Sequence, residues 1–128
     1  MQYTKHFTLA QAQTELPNII PIVSEIVHLK AELDRKGYDV MHHQYFGGMG
    51  PNGQKVFPQE MEELVLLVRD LNDRGIEIKD LDKGLIDFPT LRANGEEVYI
   101  CYMLGEQTIL AWHPIEGGFA ARRPITEL

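Results

Sequence analysis

Apolar residues recur at steps of three and four over the first part of the chain, which is the spacing of one face of an α-helix. The pattern predicts a helix over residues 8–36. Thr8 and Gln11 have the spacing of a capping box at its start, and Gly37 is a natural end. The predicted apolar stripe has one polar interruption, Lys30. Its members are Leu9, Ala12, Leu16, Ile19, Val23, Ile26 and Leu33.

Two prolines, Pro17 and Pro21, lie inside this helix. Each removes a backbone N–H donor and crowds the carbonyl group four residues earlier. One interpretation is a single helix with a kink. The other is a short first helix, followed by a second one that starts near Pro17.

A second helix is predicted over residues 58–74, with Pro58 at its first position and Gly75 after its end. Its apolar stripe consists of Met61, Leu64, Val65, Val68 and Leu71. Residues 38–57, between the helices, are rich in glycine and are predicted to form a loop. Three glycines at residues 48–53 have the spacing of a dinucleotide-binding fingerprint, but no buried strand precedes them, which favours a surface turn.

The last third of the chain changes to alternating apolar and polar residues, which is typical of strands. A small sheet over residues 76–113 is predicted, with strands at 76–79, 85–88, 97–103 and 108–113. Pro89 is expected to stop the second of these strands. A C-terminal tail, residues 114–128, follows. Residues 1–128 are therefore predicted to be one α+β domain, with two long antiparallel helices packed on a small antiparallel β-sheet.

The register of the last two strands decides which side chains meet. A turn centred on residues 105–106 would place Tyr99 opposite Trp112. Because side chains alternate between the faces of a sheet, this register puts Cys101 and His113 on opposite faces. Both faces are largely apolar, so we expect the hairpin to be covered on both sides.

Twelve Lys and Arg residues against 19 Asp and Glu residues give a net charge of −7. A surface this acidic repels phosphate backbones, so nucleic acid is not expected as a partner. No run approaches the ~18 apolar residues that span a bilayer, so no membrane association is expected. The one cysteine, Cys101, cannot form an internal disulfide, and we expect a buried, unreactive thiol in the cytoplasm.

Chemically active side chains are densest near the C-terminus. His113 directly follows Trp112 at the end of an apolar strand, and an acid and two arginines come soon after it. Asp87 is an acid inside another apolar strand, and a buried carboxylate needs a cation or a hydrogen-bond donor beside it. The predicted ligand-binding residues are Asp87, Trp112, His113, Glu116, Arg122 and Arg123.

Three roles fit this group of residues. It could form a structural ion pair that pins the tail, a pocket for a small polar ligand, or a metal site. Most stable metal sites use at least three protein ligands, and the group offers only His113, Glu116 and Asp87, so a polar pocket is preferred to a metal site. No nucleophile stands beside a base in the sequence, so neither a catalytic residue nor a cofactor is assigned.

Several stretches between Phe7 and Pro124 resemble a bacterial family catalogued as domain of unknown function 2203. They are Phe7-Thr8-Leu9, Leu16-Pro17, Gly75-Ile76, Lys79-Asp80-Leu81-Asp82, Gly84-Leu85-Ile86-Asp87-Phe88-Pro89, Val98-Tyr99-Ile100-Cys101, Leu104-Gly105-Glu106, Trp112-His113 and Gly118-Phe119-Ala120 with Arg122. A tryptophan is frequent in the family where this chain has Tyr102. The resemblance implies a family without an established biochemical activity, so it assigns no residue a role.

Two hypotheses about function follow. The first is a binding or protein-interaction module that forms a homodimer through its helices, because the apolar face from Leu16 to Leu33 is wider than one partner helix covers. The alternative is a metal-dependent enzyme or small-molecule binder with a site around His113 and Glu116. A metal or small molecule retained after purification would favour the alternative. A stable dimer without a ligand would favour the interaction module.

Overall fold

A computed structural model of the chain describes residues 2–41, 44–45 and 58–128. Within these residues the chain forms two helices and a five-stranded antiparallel sheet, so the predicted α+β class is confirmed. In chain order the elements are α1 (Leu9–Arg35), β1 (Tyr38–Asp39), β2 (Gln44–Tyr45), α2 (Gln59–Asp73), β3 (Glu77–Asp80), β4 (Leu85–Leu91), β5 (Glu97–Met103), β6 (Ala111–Pro114) and β7 (Arg123–Pro124). Neither helix in this part of the chain has the length and apolar character needed to cross a bilayer.

Helix α1 begins where the sequence predicts. Thr8 Oγ1 accepts a hydrogen bond from the Gln11 N–H at 3.0 Å, and the Gln11 side chain accepts one from the Thr8 N–H at 2.9 Å. The helix runs without interruption through Pro17 and Pro21, so the interpretation as two helices is wrong. Burial on both sides of the prolines stabilises the helix despite the two missing donors. Its buried apolar residues are Ala12, Leu16, Ile19, Val23, Ile26, Leu29 and Leu33.

Lys30 interrupts the apolar stripe of α1 and is nevertheless buried. Its ammonium group donates hydrogen bonds to Asp34 at 2.8 Å and to Asp82 at 2.9 Å. Both carboxylates are largely exposed, so the charged end of the lysine stays near water while its stem is covered. The interaction with Asp82 ties the helix to the turn that precedes β4.

Both helices lie within one residue of their predicted bounds at each end, but α2 has only 15 residues against 27 for α1, so only α1 is a long helix. Its buried residues are Met61, Leu64 and Leu71. Gly75 follows the helix with a φ of 88°, a conformation that side chains with a Cβ rarely adopt. A Cβ at this position would meet Cδ of the flexible Lys5 side chain at 2.9 Å, which can shift, so the backbone conformation is the main reason for glycine here.

The segment between the helices begins with paired strands. Strands β1 and β2 are antiparallel, and Tyr38 lies opposite Tyr45. The prediction of a loop over residues 38–57 is therefore wrong at its start. Residues 48–53, which carry the glycine spacing, lie outside the described residues, so their interpretation as a surface turn stays a prediction.

The five-stranded sheet has the order β3-β4-β5-β6-β7, and each strand is antiparallel to its neighbours. Its last strand lies in the segment that was predicted as a tail. Arg123 of β7 pairs with Trp112 of β6. Two residues cannot show an alternating pattern, so no periodicity in the sequence could predict this strand.

Strand β4 continues through Pro89 to Leu91, so the prediction that the proline stops the strand is wrong. Pro89 lies opposite Tyr99 of β5, and its carbonyl oxygen accepts a hydrogen bond from the Phe7 N–H at 2.8 Å. The N and C=O of a strand residue point to the same side. The missing N–H of Pro89 therefore faces the N-terminal segment rather than β5, and no sheet hydrogen bond is lost.

The register between β5 and β6 differs by one residue from the predicted one. Tyr99 lies opposite His113, and Ile100 lies opposite Trp112. A shift of one residue moves every side chain of a strand to the other face. The prediction that Cys101 and His113 lie on opposite faces is therefore wrong, and the two share one face.

The two faces of the sheet have different neighbours. Side chains on one face belong to a single hydrophobic cluster that also contains the buried residues of both helices. This face includes Ile86, Phe88, Ile100, Tyr102 and Trp112. The other face carries a smaller cluster, made of Leu85, Cys101 and Ala111. The chemically active side chains lie on this second face.

Candidate functional site

Three side chains that can bind metal meet on the second face of the sheet. Asp87 of β4 lies opposite Cys101 of β5, and His113 of β6 lies opposite Tyr99, two residues from the cysteine. Asp87 is 1 %, Cys101 0 % and His113 3 % exposed. A carboxylate oxygen, the sulfur and a ring nitrogen all lie within 4.8 Å of one another. Three neighbouring strands thus bring three potential ligands to one buried point.

Both ring nitrogens of His113 face hydrogen-bond acceptors. Nδ1 lies 2.8 Å from the carbonyl oxygen of Pro114, and Nε2 lies 3.1 Å from Oδ1 of Asp87. Burial lowers the pKa of His113, but the hydrogen bond to Asp87 and the charge of that residue outweigh it, and the net pKa is raised. The two acceptors and the raised pKa both favour the protonated imidazole beside the carboxylate.

The ion pair with His113 satisfies the hydrogen-bonding capacity of the Asp87 carboxylate only in part. Its Oδ2 atom is buried and has no hydrogen-bond partner among the residues that the structure describes. An ionised carboxylate has about four lone-pair sites, and buried carboxylates ordinarily accept several hydrogen bonds. The unpartnered oxygen gives the site an unused electron-pair donor at its centre.

Cys101 has a cation beside it, which the sequence analysis did not anticipate. The Nε–H of Arg122 donates to the sulfur at 3.2 Å, and the thiol donates to the carbonyl oxygen of Ala111 at 3.6 Å. Nη2 of Arg122 also donates to both carboxylate oxygens of Glu106 at 3.1 Å. Burial raises the pKa of Cys101 to about 11 even though Arg122 acts to lower it, so the thiol is protonated at neutral pH.

A cavity of about 120 Å³ reaches this cluster. Its walls are formed by Lys79, Leu85, Asp87, Tyr99, His113, Ile115 and Gly118. Lys79 has its ammonium 4.8 Å from the centre of the Tyr99 ring and 3.3 Å from Glu77. The hydroxyl of Tyr99 donates to Glu77 at 2.8 Å, and the hydroxyl of Tyr3 contacts both. One entrance to the buried cluster is therefore lined by a lysine and a tyrosine.

Larger cavities, two of about 490 Å³ and one of about 260 Å³, do not have Asp87, Cys101 or His113 in their walls. One of them lies between the start of α1 and the end of α2, and its lining includes Lys5, Gln11 and Arg74. These polar side chains are exposed or half-buried. Solvated groups of this kind are not pre-organised for a ligand, so the buried cluster is the better candidate despite its smaller cavity.

Of the residues predicted to bind a ligand, the structure brings three together. Asp87 and His113 are in contact, and Arg122 reaches the same cluster through Cys101. Glu116 is exposed in the turn after β6 and does not line the cavity. The pairing of His113 with Glu116 that the sequence suggested is therefore not seen.

Trp112 and Arg123 belong to the other face of the sheet. The guanidinium of Arg123 lies 5.4 Å from the centre of the Trp112 ring, and that of Arg92 lies 4.6 Å from it. Trp112 and His113 are consecutive in β6, so their side chains point to opposite faces. The tryptophan is therefore part of the core rather than a wall of the buried site.

Cys101 is the site residue that the sequence analysis left out. The alternating pattern of β5 shows that it is buried but cannot show which residues of β6 lie beside it. With the observed register, Cys101 lies on the same face as His113, and the three ligands that a stable metal site needs are present.

The geometry argues against nucleophilic catalysis by Cys101. A cysteine nucleophile needs a base within hydrogen-bond reach and a lowered pKa. Both nitrogens of His113 are occupied by Pro114 and Asp87, and the pKa of the thiol is raised. A metal ion would convert both the thiol and the imidazolium into ligands.

No curated protein and no solved structure matches the sequence. Residues 5–125 match the model of a family described as "Uncharacterized conserved protein (DUF2203)". The match includes every residue of the buried cluster and the whole of the five-stranded sheet. The chain belongs to this family of uncharacterized conserved proteins.

Proposed function

We propose that the protein binds a divalent transition-metal ion of the zinc class, with Asp87, Cys101 and His113 as ligands. One observation carries the proposal: three buried side chains converge, and the carboxylate among them has an oxygen without a partner. Oxygen, sulfur and nitrogen donors together suit zinc, for which the bond lengths are about 2.0–2.3 Å.

The spacing of the donor atoms suits such an ion. A tetrahedral site with these bond lengths holds its ligand atoms about 3.5 Å apart. Nε2 of His113 and Oδ1 of Asp87 are already 3.1 Å apart, and the most distant pair in the cluster is within 4.8 Å. Side-chain rotations that move the donor atoms by about 1 Å are enough to bring them to the spacing of a metal site.

The surrounding hydrogen bonds orient two of the ligands. The contact of His113 Nδ1 with the Pro114 carbonyl leaves Nε2 as the coordinating nitrogen, the arrangement found around most metal-binding histidines. The Nε–H of Arg122 points at the sulfur and would stabilise a thiolate, while Glu106 fixes the guanidinium. Groups that orient the metal ligands and stabilise their charge are thus present in addition to the ligands.

The charges balance with and without the ion. In the metal-free state the protonated His113, which its raised pKa favours, would balance the charge of Asp87, and Cys101 is an uncharged thiol. A divalent ion would take the place of two protons, one from the sulfur and one from Nε2, against a thiolate and a carboxylate. Neither state leaves an uncompensated charge in the buried site, which makes exchange between them feasible.

Three protein ligands leave a fourth position for water or substrate, as in catalytic zinc sites. This supports the hypothesis of a metal-dependent enzyme or small-molecule binder over that of an interaction module. The apolar stripe of α1, which suggested a homodimer, is buried within a single chain from Leu16 to Leu33. The homodimer stays a prediction without that argument.

Cobalt(II) binding to chelator-treated protein tests the proposal. A thiolate–cobalt charge-transfer band in the near ultraviolet can come only from Cys101, because the chain has one cysteine. We expect this band, with visible bands typical of tetrahedral cobalt. The variant Asp87→Asn should weaken cobalt binding, and Cys101→Ser should abolish the charge-transfer band while the fold is kept.

The matched control is Glu116→Gln, which removes an exposed carboxylate near His113 and should leave the cobalt spectrum unchanged. Circular dichroism establishes that each variant is folded. A folded wild-type protein without the charge-transfer band would overturn the proposal. So would a spectrum that is insensitive to Asp87→Asn and to His113→Gln.

A further inference from the structure

We propose that the metal ion held by Asp87, Cys101 and His113 keeps an exchangeable position that faces the 120 Å³ cavity and binds a small carboxylate anion there, with Lys79 as the second contact. The inference rests on the proposed metal site. It adds the direction from which a ligand arrives, its size and its charge.

The residues that line the cavity show from which side a ligand can reach the metal ion. Asp87 and His113 form part of its wall, whereas Cys101 does not. The sulfur is enclosed by Arg122 and by the backbone of Ala111. The open side of the ligand cluster is therefore the side of the carboxylate and the imidazole.

The size of the cavity limits the ligand. A cavity of about 150 Å³ accommodates a benzene molecule, which has six non-hydrogen atoms. The observed 120 Å³ therefore admits a ligand of about six non-hydrogen atoms at most. Leu85, Ile115 and the Cα of Gly118 supply apolar wall for a short alkyl group.

The charge of the residues that line the cavity favours a negatively charged ligand. Lys79 is the one cationic side chain among the residues that line the cavity, apart from the ring of His113. The Lys79 side chain is 39 % exposed, and its ammonium pairs loosely with Glu77 at 3.3 Å, so it can turn toward an anion. Glu77 itself is held by the hydroxyls of Tyr3 and Tyr99 and does not line the cavity.

A carboxylate can bind the metal ion and accept a hydrogen bond from Lys79 at the same time. One oxygen binds the metal, as carboxylates do in zinc sites, and the other accepts a hydrogen bond from Lys79. The metal with its two anionic protein ligands is neutral, so the incoming anion meets no net repulsion.

The cobalt-loaded protein provides the test. Titration with acetate, propionate and benzoate follows the visible cobalt bands, with azide as a general probe of an open position. We expect saturable changes with acetate and propionate and none with benzoate, which exceeds the cavity. Lys79→Met should weaken acetate binding by about tenfold, the effect of losing one charge-assisted hydrogen bond. Lys83→Met, which removes an exposed lysine that does not line the cavity, should have no effect.

A second variant, Ile115→Phe, fills the cavity without removing a metal ligand and should abolish the response to acetate while the cobalt bands persist. Cobalt bands that do not change with acetate would overturn the inference and leave the metal site intact. A response to azide but not to carboxylates would show that the ligand class is wrong. If the folded protein shows no cobalt band at all, both the proposed metal site and this inference are wrong.

Discussion

The replacement of His113 by leucine is expected to be far more harmful to the metal-free protein than the replacement of Asp87 by asparagine. Among the residues that the structure describes, His113 is the only side-chain partner of the Asp87 carboxylate, and Oδ2 has none, so His113→Leu leaves the carboxylate without a side-chain partner there. Leaving one member of a buried ion pair behind costs about 3–5 kcal/mol. In Asp87→Asn the amide oxygen still accepts from Nε2 and the histidine can lose its proton, so about 1–2 kcal/mol is expected.

The double variant gives the sharper test. In His113→Leu combined with Asp87→Asn, the group left in the site is a neutral amide rather than a carboxylate. The double variant should therefore be more stable than His113→Leu alone, although it carries one change more. Urea unfolding at pH 7 in the presence of a chelator measures the three free energies, and equal m-values show that the comparison is valid.

The reasoning is refuted if the two changes are additive. Residues that do not interact give additive effects within about 0.5 kcal/mol. Additivity at Asp87 and His113 would mean that the carboxylate is compensated by some other group. The metal-free site would then not be the neutral ion pair on which the charge argument for metal binding depends.

Three further predictions concern other parts of the chain. Glu97 accepts hydrogen bonds from the N–H groups of Gln2 and Tyr3 and from His6; burial raises its pKa, but these bonds outweigh it and the net pKa is lowered. The stability that the Glu97 carboxylate contributes is present above its usual pKa of 4.5 and is lost as pH falls through the lower folded pKa. The protection factors of the N-terminal amides, which compare observed with intrinsic exchange rates, should therefore fall in acid. They should fall much less in Glu97→Gln, where protection is already weak at neutral pH. Cys101 should react with a thiol reagent only as fast as the protein opens, and fast labelling of the folded protein would contradict its burial. The predicted homodimer should appear as a doubled mass in light scattering, and a monomer at high micromolar concentration would rule it out.

Local signals in the sequence were reliable where the structure depends on neighbouring residues. The capping box of Thr8 and Gln11 joins atoms only three residues apart, so its spacing is visible directly. The positive φ of Gly75 likewise follows from the end of one helix. The buried stripe of α1 was predicted because its period is a property of the helix alone.

Predicting the site required information on strand pairing that the pattern of apolar and polar residues within each strand does not contain. The register of β6 against β5 is set by the whole connection between them, and a difference of one residue decides whether Cys101 lies beside His113. Asp87 was recognised as an acid in need of a partner, which a strand pattern can show. Its partner could be chosen among His113 and two arginines only when the strands were paired.

The outer strands of the five-stranded sheet affect how this protein can associate with other chains. Strand β7 is two residues long and ends in Pro124, which has no N–H to offer an incoming strand. On the opposite side, β3 carries charged side chains at three of its four positions: Glu77, Lys79 and Asp80. Short, proline-bearing and charged edges resist the addition of further strands and so protect the sheet against aggregation. We therefore expect a partner of this fold to contact side-chain surfaces rather than extend the five-stranded sheet.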